Sequence, residues 1–313
     1  MKKKDKVIVK KLLAIVLLLI IGSVVGFENL DDFLDDGVIQ DTVSDNQNDY
    51  TQKEDYYIAS DDELKVYFFD VGQADSIFVM SSGECMLIDA GNNADGKLIV
   101  KQLENMNIDT IDYVVGTHPH EDHIGGLDDV INNFKIKNVL MPKKTTTTKT
   151  YEDVLKAIQN ANLKIKTPRV GDIFYVGMAK CEVMGIENDA ENLNENSIII
   201  ELTYGDRKFL FTGDAEVANE KLRSWDDIDV LKVAHHGSRT SSSEEFLEQV
   251  KPEYAIISCG RDNDYGHPHQ EVMDRLKEVK IYRTDEEGTI LVTSDGENLE
   301  FESLNINLDG NSK

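Results

Sequence analysis

Thr117-His118-Pro119-His120-Glu121-Asp122-His123-Ile124-Gly125-Gly126 decides how the rest of the chain is read. Four potential metal ligands, His118, His120, Asp122 and His123, fall within six residues. On a tight loop alternate residues point the same way. His118 and His120 are therefore placed to share one metal, while Asp122 and His123 turn toward a second. Imidazole and carboxylate suit Zn²⁺, Mn²⁺ or Fe²⁺, and the missing thiolate argues against a structural zinc knot. Gly125 and Gly126 allow a sharp turn into a helix. All seven histidines lie in three clusters: this one, His235-His236-Gly237-Ser238, and Gly266-His267-Pro268-His269. Histidine used as polar filler would be scattered. Its concentration beside carboxylates, Gly and Pro puts a metal-dependent hydrolase first among function classes.

Outward from this loop the chain alternates strands and helices from about Glu63 to Leu308. Upstream, the pattern predicts strands over Leu64–Phe69, Ser76–Met80 and Cys85–Asp89. A helix follows, with Leu98, Ile99, Leu103 and Met106 at helical spacing. The strand Ile111–Gly116 runs into the histidine loop. Downstream come a helix over Leu127–Phe134, a short strand over Val139–Met141, a polar Lys143–Lys149 loop and a helix over Tyr151–Ala161. The second half repeats these types: a strand over Cys181–Ile186, then a hairpin of Ser197–Tyr204 and Arg207–Thr212 turned by Gly205-Asp206. Gly213-Asp214 closes the hairpin and opens a helix. Val230–Ala234 is a strand entering His235-His236. Ser242–Val250 is helical, Tyr254–Ser258 a strand and His269–Val279 a helix, and strands from Ile281 to Ser303 complete the block. The polar residues of interest sit at strand tips and in the loops after them. This fits an α/β fold of two sheets with helices on their outer faces and chemistry along one edge.

Six residues cannot complete two coordination spheres, so further ligands must come from distant sequence. Asp214, at the tip of the Arg207–Thr212 strand, is the best carboxylate to bridge two ions; the competing reading is a helix N-cap before Ala215–Leu222. His236, or else His235, would complete the second site. Adjacent side chains on a strand point in opposite directions, so one histidine can ligate while the other faces substrate.

The formal net charge is -26. Tight nonspecific binding to nucleic acid or to an anionic membrane needs a basic face, so the charge argues against both. A phosphate-bearing substrate remains compatible, because bound divalent cations reverse the local sign. At the N-terminus, six lysines between Lys2 and Lys11 precede the uncharged run Leu12–Phe27. This predicts a signal anchor or signal peptide over residues 1–27, with the lysines inside and the rest exported. Residues 28–60 read as an acidic, disordered linker, 61–308 as one globular domain and 309–313 as a polar tail. Cys85, Cys181 and Cys259 lie in or beside apolar strand-like runs and read as buried small hydrophobes.

Several motifs together resemble the metallo-β-lactamase superfamily, in its ComEC-like hydrolase branch. They are Phe69-Asp70-Val71-Gly72-Gln73-Ala74-Asp75-Ser76, Leu87-Ile88-Asp89-Ala90-Gly91, the histidine loop through Leu127, Asn196-Ser197, Phe211-Thr212-Gly213-Asp214-Ala215-Glu216, Leu231-Lys232-Val233-Ala234-His235-His236-Gly237-Ser238, Tyr265-Gly266-His267-Pro268 and Tyr282-Arg283-Thr284-Asp285. The resemblance implies a four-layer αββα sandwich with one or two divalent ions, Zn²⁺ or Mn²⁺, on its edge. It maps His118 and His120 to one metal, Asp122 and His123 to the other, Asp214 to the bridge and His236 to the closing ligand. Asp89 maps to an acid that orients a ligand. The further histidine that many members place between the loop and the bridging acid is missing, and Asn196-Ser197 stands there. The first metal site is then poor in ligands, open to Mn²⁺, Asn196 or water. Ala74 stands where the ComEC-like pattern usually has Gly. The channel-forming region of ComEC proteins is absent, so this chain is not expected to act as a DNA channel by itself.

The expected chemistry is hydrolysis of a phosphoester by a metal-activated water, with charge on the phosphoryl oxygens neutralised by the ions. His267 or His235 would protonate the leaving oxygen. Ser238 is a candidate phosphate contact, and the Lys143–Lys149 loop reads more simply as solvated. Three readings compete: a membrane-anchored extracellular phosphodiesterase or nuclease acting on DNA, a hydrolase of another exported ester such as a cell-wall phosphodiester, and a non-catalytic binding module on the same fold.

Overall fold

Period-two alternation sorts the first strand between two cores. Leu64, Val66 and Phe68 of β1 (Leu64–Phe68) face one, while Tyr67 and Phe69 face another. The computed structural model describes residues 63–304. The expected signal segment 1–27, acidic linker 28–60 and tail 309–313 lie outside the described residues.

β1, β2 (Ile77–Ser81) and β3 (Glu84–Ile88) form an antiparallel meander. Parallel strands need crossovers. α1 (Gly96–Asn105) leads to β4 (Thr110–Val115); α2 (Glu121–Ile124) and α3 (Leu127–Asn133) lead to β5 (Lys135–Leu140); α4 (Lys149–Asn160) leads to β6 (Ile165–Lys166). A second meander follows: β7 (Ile173–Val176), β8 (Ala179–Gly185), β9 (Ile199–Tyr204) and β10 (Arg207–Phe211). α5 (Val217–Glu220), β11 (Val230–Lys232), α6 (Glu244–Val250), β12 (Tyr254–Ile257), α7 (Gln270–Arg275) and β13 (Lys280–Arg283) extend it with parallel strands. α8 (Thr284–Glu287) then returns the chain to β14 (Thr289–Ser294) and β15 (Leu299–Leu304), beside β1. One sheet runs β15-β14-β1-β2-β3-β4-β5-β6 and the other β13-β12-β11-β10-β9-β8-β7.

Three apolar layers hold these sheets and helices together. The middle layer packs Val66, Phe68, Met86, Ile88 and Val115 of the first sheet against Phe174, Ile200, Leu202, Phe209 and Phe211 of the second. Fully burying one such side chain contributes about 1.5–3 kcal/mol. One outer layer seats Ile99, Leu103, Leu127, Val130, Val154 and Ile158 on the first sheet. The other seats Phe246, Leu247, Val250, Val272 and Leu276 on the second. The result is the expected αββα sandwich, and the three cysteines are free and buried.

Some expected boundaries move. β5 begins at Lys135 rather than Val139, because exposed Lys135 and Lys137 alternate with buried Ile136 as an edge-side strand requires. The helix expected from Asp214 starts only at Val217, where Glu216 caps it in a reciprocal box with Asn219. This removes the N-cap reading of Asp214. β11 ends at Lys232, two residues before Ala234. His235 and His236 adopt left-handed backbone, φ 51° and 54°, so they are not on a strand and the opposed-faces argument does not apply to them. No helix among the described residues is long and apolar enough to cross a membrane.

Candidate active site

The C-terminal tips of β3, β4, β10 and β11 deliver Asp89, His118, Asp214 and the His235-His236 pair to one edge of the sandwich. The histidine loop is clamped there by backbone. Ala90 N–H donates to His123 O, Asp75 N–H to Asp122 O and Gly125 N–H to Gly91 O, at 2.7, 3.0 and 2.9 Å. A Cβ on Gly125 would stand 2.2 Å from the Asn92 carbonyl carbon, and one on Gly126 2.4 Å from Ala90 O. Glycine is required by this close approach. His118 lies in a bend and His120 in extended backbone, while Asp122 and His123 lie on the single turn of α2.

Ligand-type atoms of Asp122, His123, Asp214 and His236 lie within 4.8 Å of one another, as do those of His118, His120 and Asp214. Asp214 stands between the two groups. Its Oδ1 is 3.2 Å from His123 Nε2 and 3.6 Å from His236 Nε2. Its Oδ2 is 3.8 Å from His118 Nε2 and 3.7 Å from His235 Nε2. Asp122 Oδ2 is 3.3 Å from His236 Nε2, and His118 Nε2 is 3.0 Å from His120 Nδ1. His123 Nε2, His236 Nε2 and Asp214 Oδ1 are buried and have no hydrogen-bond partner. Buried polar atoms in that condition are costly. Their mutual approach, and a donor set of imidazoles and carboxylates, fit one or two divalent cations.

A surrounding ring of polar groups orients these atoms. Asp89 accepts from Thr117 N–H at 2.8 Å and from Thr117 Oγ1–H and His123 Nδ1–H, both at 2.7 Å. That fixes the His123 proton on Nδ1 and turns Nε2 toward Asp214. His236 Nδ1 faces Ser258 O at 3.0 Å and Asp75 Oδ1 at 3.4 Å. Asp75 Oδ2 is paired at 2.9 Å with the fully buried Lys232 ammonium. Burial opposes charge on these imidazoles, yet Asp214, Asp89 and Asp122 raise the His123 pKa well above its usual range. Against the same burial, Asp214 and Asp75 raise His236 to about 10. Burial also opposes the Asp122 and Asp214 carboxylates; His123 foremost brings Asp122 down to about 2, and His123 with His236 holds Asp214 far below the ordinary carboxylate range. Burial, reinforced by His123, keeps His118 neutral.

An open cavity of about 270 Å³ lies above these atoms, lined by Gln73, His120, Glu121, Asp122, Asn194, Asp214, His235, His236, Tyr265 and His267. His235 lines it with Nδ1 3.2 Å from Thr240 Oγ1. His267 lines it too, but burial and the neighbouring His236 and His235 pull its pKa to about 4. The ring is neutral at neutral pH, which does not match the expected proton-donor role. Asn196 does not line the cavity; its amide nitrogen donates to Glu187 O and Ala190 O. Ser197 does the expected work instead, accepting from Asp214 N–H at 3.0 Å and touching His118 Nδ1 at 3.4 Å. Ser238 does not line the cavity; its hydroxyl is engaged with Thr240 at 3.1 Å. Sequence reasoning gave no role to Gln73, Asp75 or Lys232. The one available signal was Lys232 itself, a cation inside the apolar run Val230–Val233.

This edge cluster on an αββα sandwich defines a metal-dependent hydrolase. The profile of the "Metallo-beta-lactamase superfamily" matches residues 69–261, and the chain belongs to that family. The fold of this family binds one or two metal ions. Within it the chain is similar to ComEC-like competence proteins: 32% identical to ComE operon protein 3 of Bacillus subtilis over 73% of this chain and 33% of that protein. It is 30% identical to Recombination protein 2 of Haemophilus influenzae over 67% of this chain and 26% of that protein. Competence protein ComA of Neisseria gonorrhoeae is 28% identical over 74% of this chain and 32% of its own length. The chain thus spans about a third or less of these relatives. Among solved structures, the metallo-beta-lactamase fold protein YhfI of Bacillus subtilis shares the fold, with TM-score 0.51 at 12% identity, covering 74% of this chain and 100% of that one.

Proposed function

We propose that the protein is a metal-dependent phosphodiesterase of the nuclease type, held at the membrane by its N-terminal apolar segment with the hydrolase domain outside. The observation that carries the chemistry is the trio of unpartnered buried atoms, His123 Nε2, His236 Nε2 and Asp214 Oδ1, beneath an open polar cavity. One or two divalent ions, Zn²⁺ or Mn²⁺, would be held by His118, His120, Asp122, His123, Asp214 and His236. Such ions supply an activated water and neutralise charge on a phosphoryl group. The chain's own groups set the geometry: Asp89 orients His123, Ser258 O with Asp75 beside it orients His236, and Asp214 presents one oxygen to each cluster. His235, which lines the cavity, would pass a proton to the leaving oxygen. The cavity lining includes no lysine or arginine and does include Glu121. A phosphodiester anion therefore depends on the bound cations for its attraction. Relatives named for competence and recombination favour DNA as the diester.

The test is a panel on the full chain loaded with Mn²⁺ or Zn²⁺: single-stranded DNA, duplex DNA, a chromogenic phosphodiester and a chromogenic β-lactam. Both DNA forms or one of them, and the simple diester, are expected to be cleaved, and the lactam spared. Asp214→Asn is expected to lose activity. Metal uptake without cleavage of any diester would overturn the reading in favour of another ester or a binding role.

A further inference from the structure

The wall of the cavity formed by Gln73, Tyr265 and His267 supplies no atom to the two ligand clusters around Asp214, and its hydrogen bonds determine a protonation state. Gly260 N–H donates to Gln73 Oε1 at 3.0 Å. A backbone N–H can only donate, so the oxygen end of the Gln73 amide must face Gly260. The nitrogen end then faces His267 Nδ1, at 3.2 Å. Amide nitrogen can only donate, so Nδ1 accepts and the ring proton sits on Nε2.

The surroundings keep this arrangement in place. A Cβ on Gly260 would stand 2.7 Å from Gln73 N, so only glycine allows the two segments to meet. Asn263 is fully committed to the same loop. Its Oδ1 accepts from His267 N–H at 3.0 Å and Tyr265 N–H at 3.2 Å, and its Nδ2 donates to Gly260 O at 2.9 Å and His267 O at 2.6 Å. The His267 ring lies nearly parallel to those of Tyr265 and His236, at 19° and 26°.

We propose that Gln73 is a positioning residue that holds His267 as a neutral imidazole with its proton on Nε2, and that His267 is a catalytic residue donating that hydrogen bond to a phosphoryl oxygen of the substrate. The substrate half rests on the phosphodiesterase reading above. A neutral donor held in place by hydrogen bonds stabilises charge that develops in the transition state without transferring its proton.

The test uses the full chain with ¹⁵N-labelled histidine and two-bond ¹H–¹⁵N correlation spectra, the His267 signal being assigned by its loss in His267→Asn. In the wild type, Nε2 is expected to show the protonated pattern and Nδ1 the unprotonated one. Gln73→Glu keeps an acceptor for Gly260 N–H but presents a carboxylate to Nδ1, so at a pH where the ring stays neutral the proton should move from Nε2 to Nδ1. With bound metal per chain unchanged, kcat on a simple phosphodiester should fall about 10²–10³-fold, the usual effect of losing one such donor. A wild-type spectrum with the proton on Nδ1, or full kcat in a Gln73→Glu protein whose tautomer has changed, overturns the proposal. If the tautomer is as stated but no diester is cleaved, the phosphodiesterase reading and the substrate contact fall together, and the positioning of His267 by Gln73 stands.

Discussion

Asp89 has left-handed backbone, φ 58°, and spends both carboxylate oxygens on hydrogen bonds to Thr117 and His123. Asp89→Asn would place an amide N–H₂ against at least one of these donors. His123 would lose its fixed Nδ1–H tautomer, and with it the orientation of Nε2. Metal affinity is expected to fall about 10–100-fold, read by competition with a metal-binding dye while circular dichroism stays unchanged. Unchanged affinity would show that α2 alone positions the ring. The histidines and Asp214 were readable in the sequence because imidazole and carboxylate at strand tips have few other uses. Asp75 was not, because its partners Lys232 and His236 are more than 150 residues away in the chain. Of the Asn196-Ser197 pair, it is the Ser197 hydroxyl that accepts from Asp214 N–H, a contact that the motif alone does not single out.

β11 shows what pattern reading misses in an element. The run Val230 to Ala234 looks like five strand residues, but pairing with β10 and β12 stops at Lys232. The chain then makes a tight turn, His235 N–H to Gly213 O at 3.1 Å and Ser238 N–H to His235 O at 2.8 Å. Two successive non-glycine residues in left-handed backbone cost about 1–2 kcal/mol each, and no local sequence signal announces them. What β11 offers in return is Lys232, whose ammonium is fully buried against Asp75. Removing one partner of a buried pair leaves an uncompensated charge. Lys232→Met is therefore expected to destabilise the protein by about 3–5 kcal/mol, measured by urea unfolding. Adding Asp75→Asn should recover part of that loss while weakening metal affinity, because His236 then loses its neighbouring carboxylate. A Lys232→Met protein as stable as the wild type would mean that Asp75 takes up a proton instead.

For the whole chain, acid residues number 59 against 33 basic ones, and the edge cluster concentrates that imbalance around Asp75, Asp89, Asp122 and Asp214. Without metal, protons on His123 and His236 do the neutralising. The sign of the pH dependence follows from their raised pKa values. His236 titrates near 10 folded and near about 6.5 unfolded. Its contribution to stability is complete below the unfolded value and is lost as pH rises through the folded one. Metal-free protein should thus lose thermal stability between pH 6.5 and 10. Metal must displace the same protons, so its binding strengthens over that range. The gap in Tm between protein with Mn²⁺ or Zn²⁺ and protein with a chelator should widen from pH 6 to pH 9, as read by scanning calorimetry. General repulsion among surface acids also lowers Tm at high pH, but it acts on both forms and leaves the gap unchanged. In Asp214→Asn the widening should shrink, because the carboxylate that raises both imidazoles is gone. A gap that is constant with pH would mean that the two imidazoles are already neutral in the metal-free protein, and that the buried carboxylates, rather than the histidines, hold its protons.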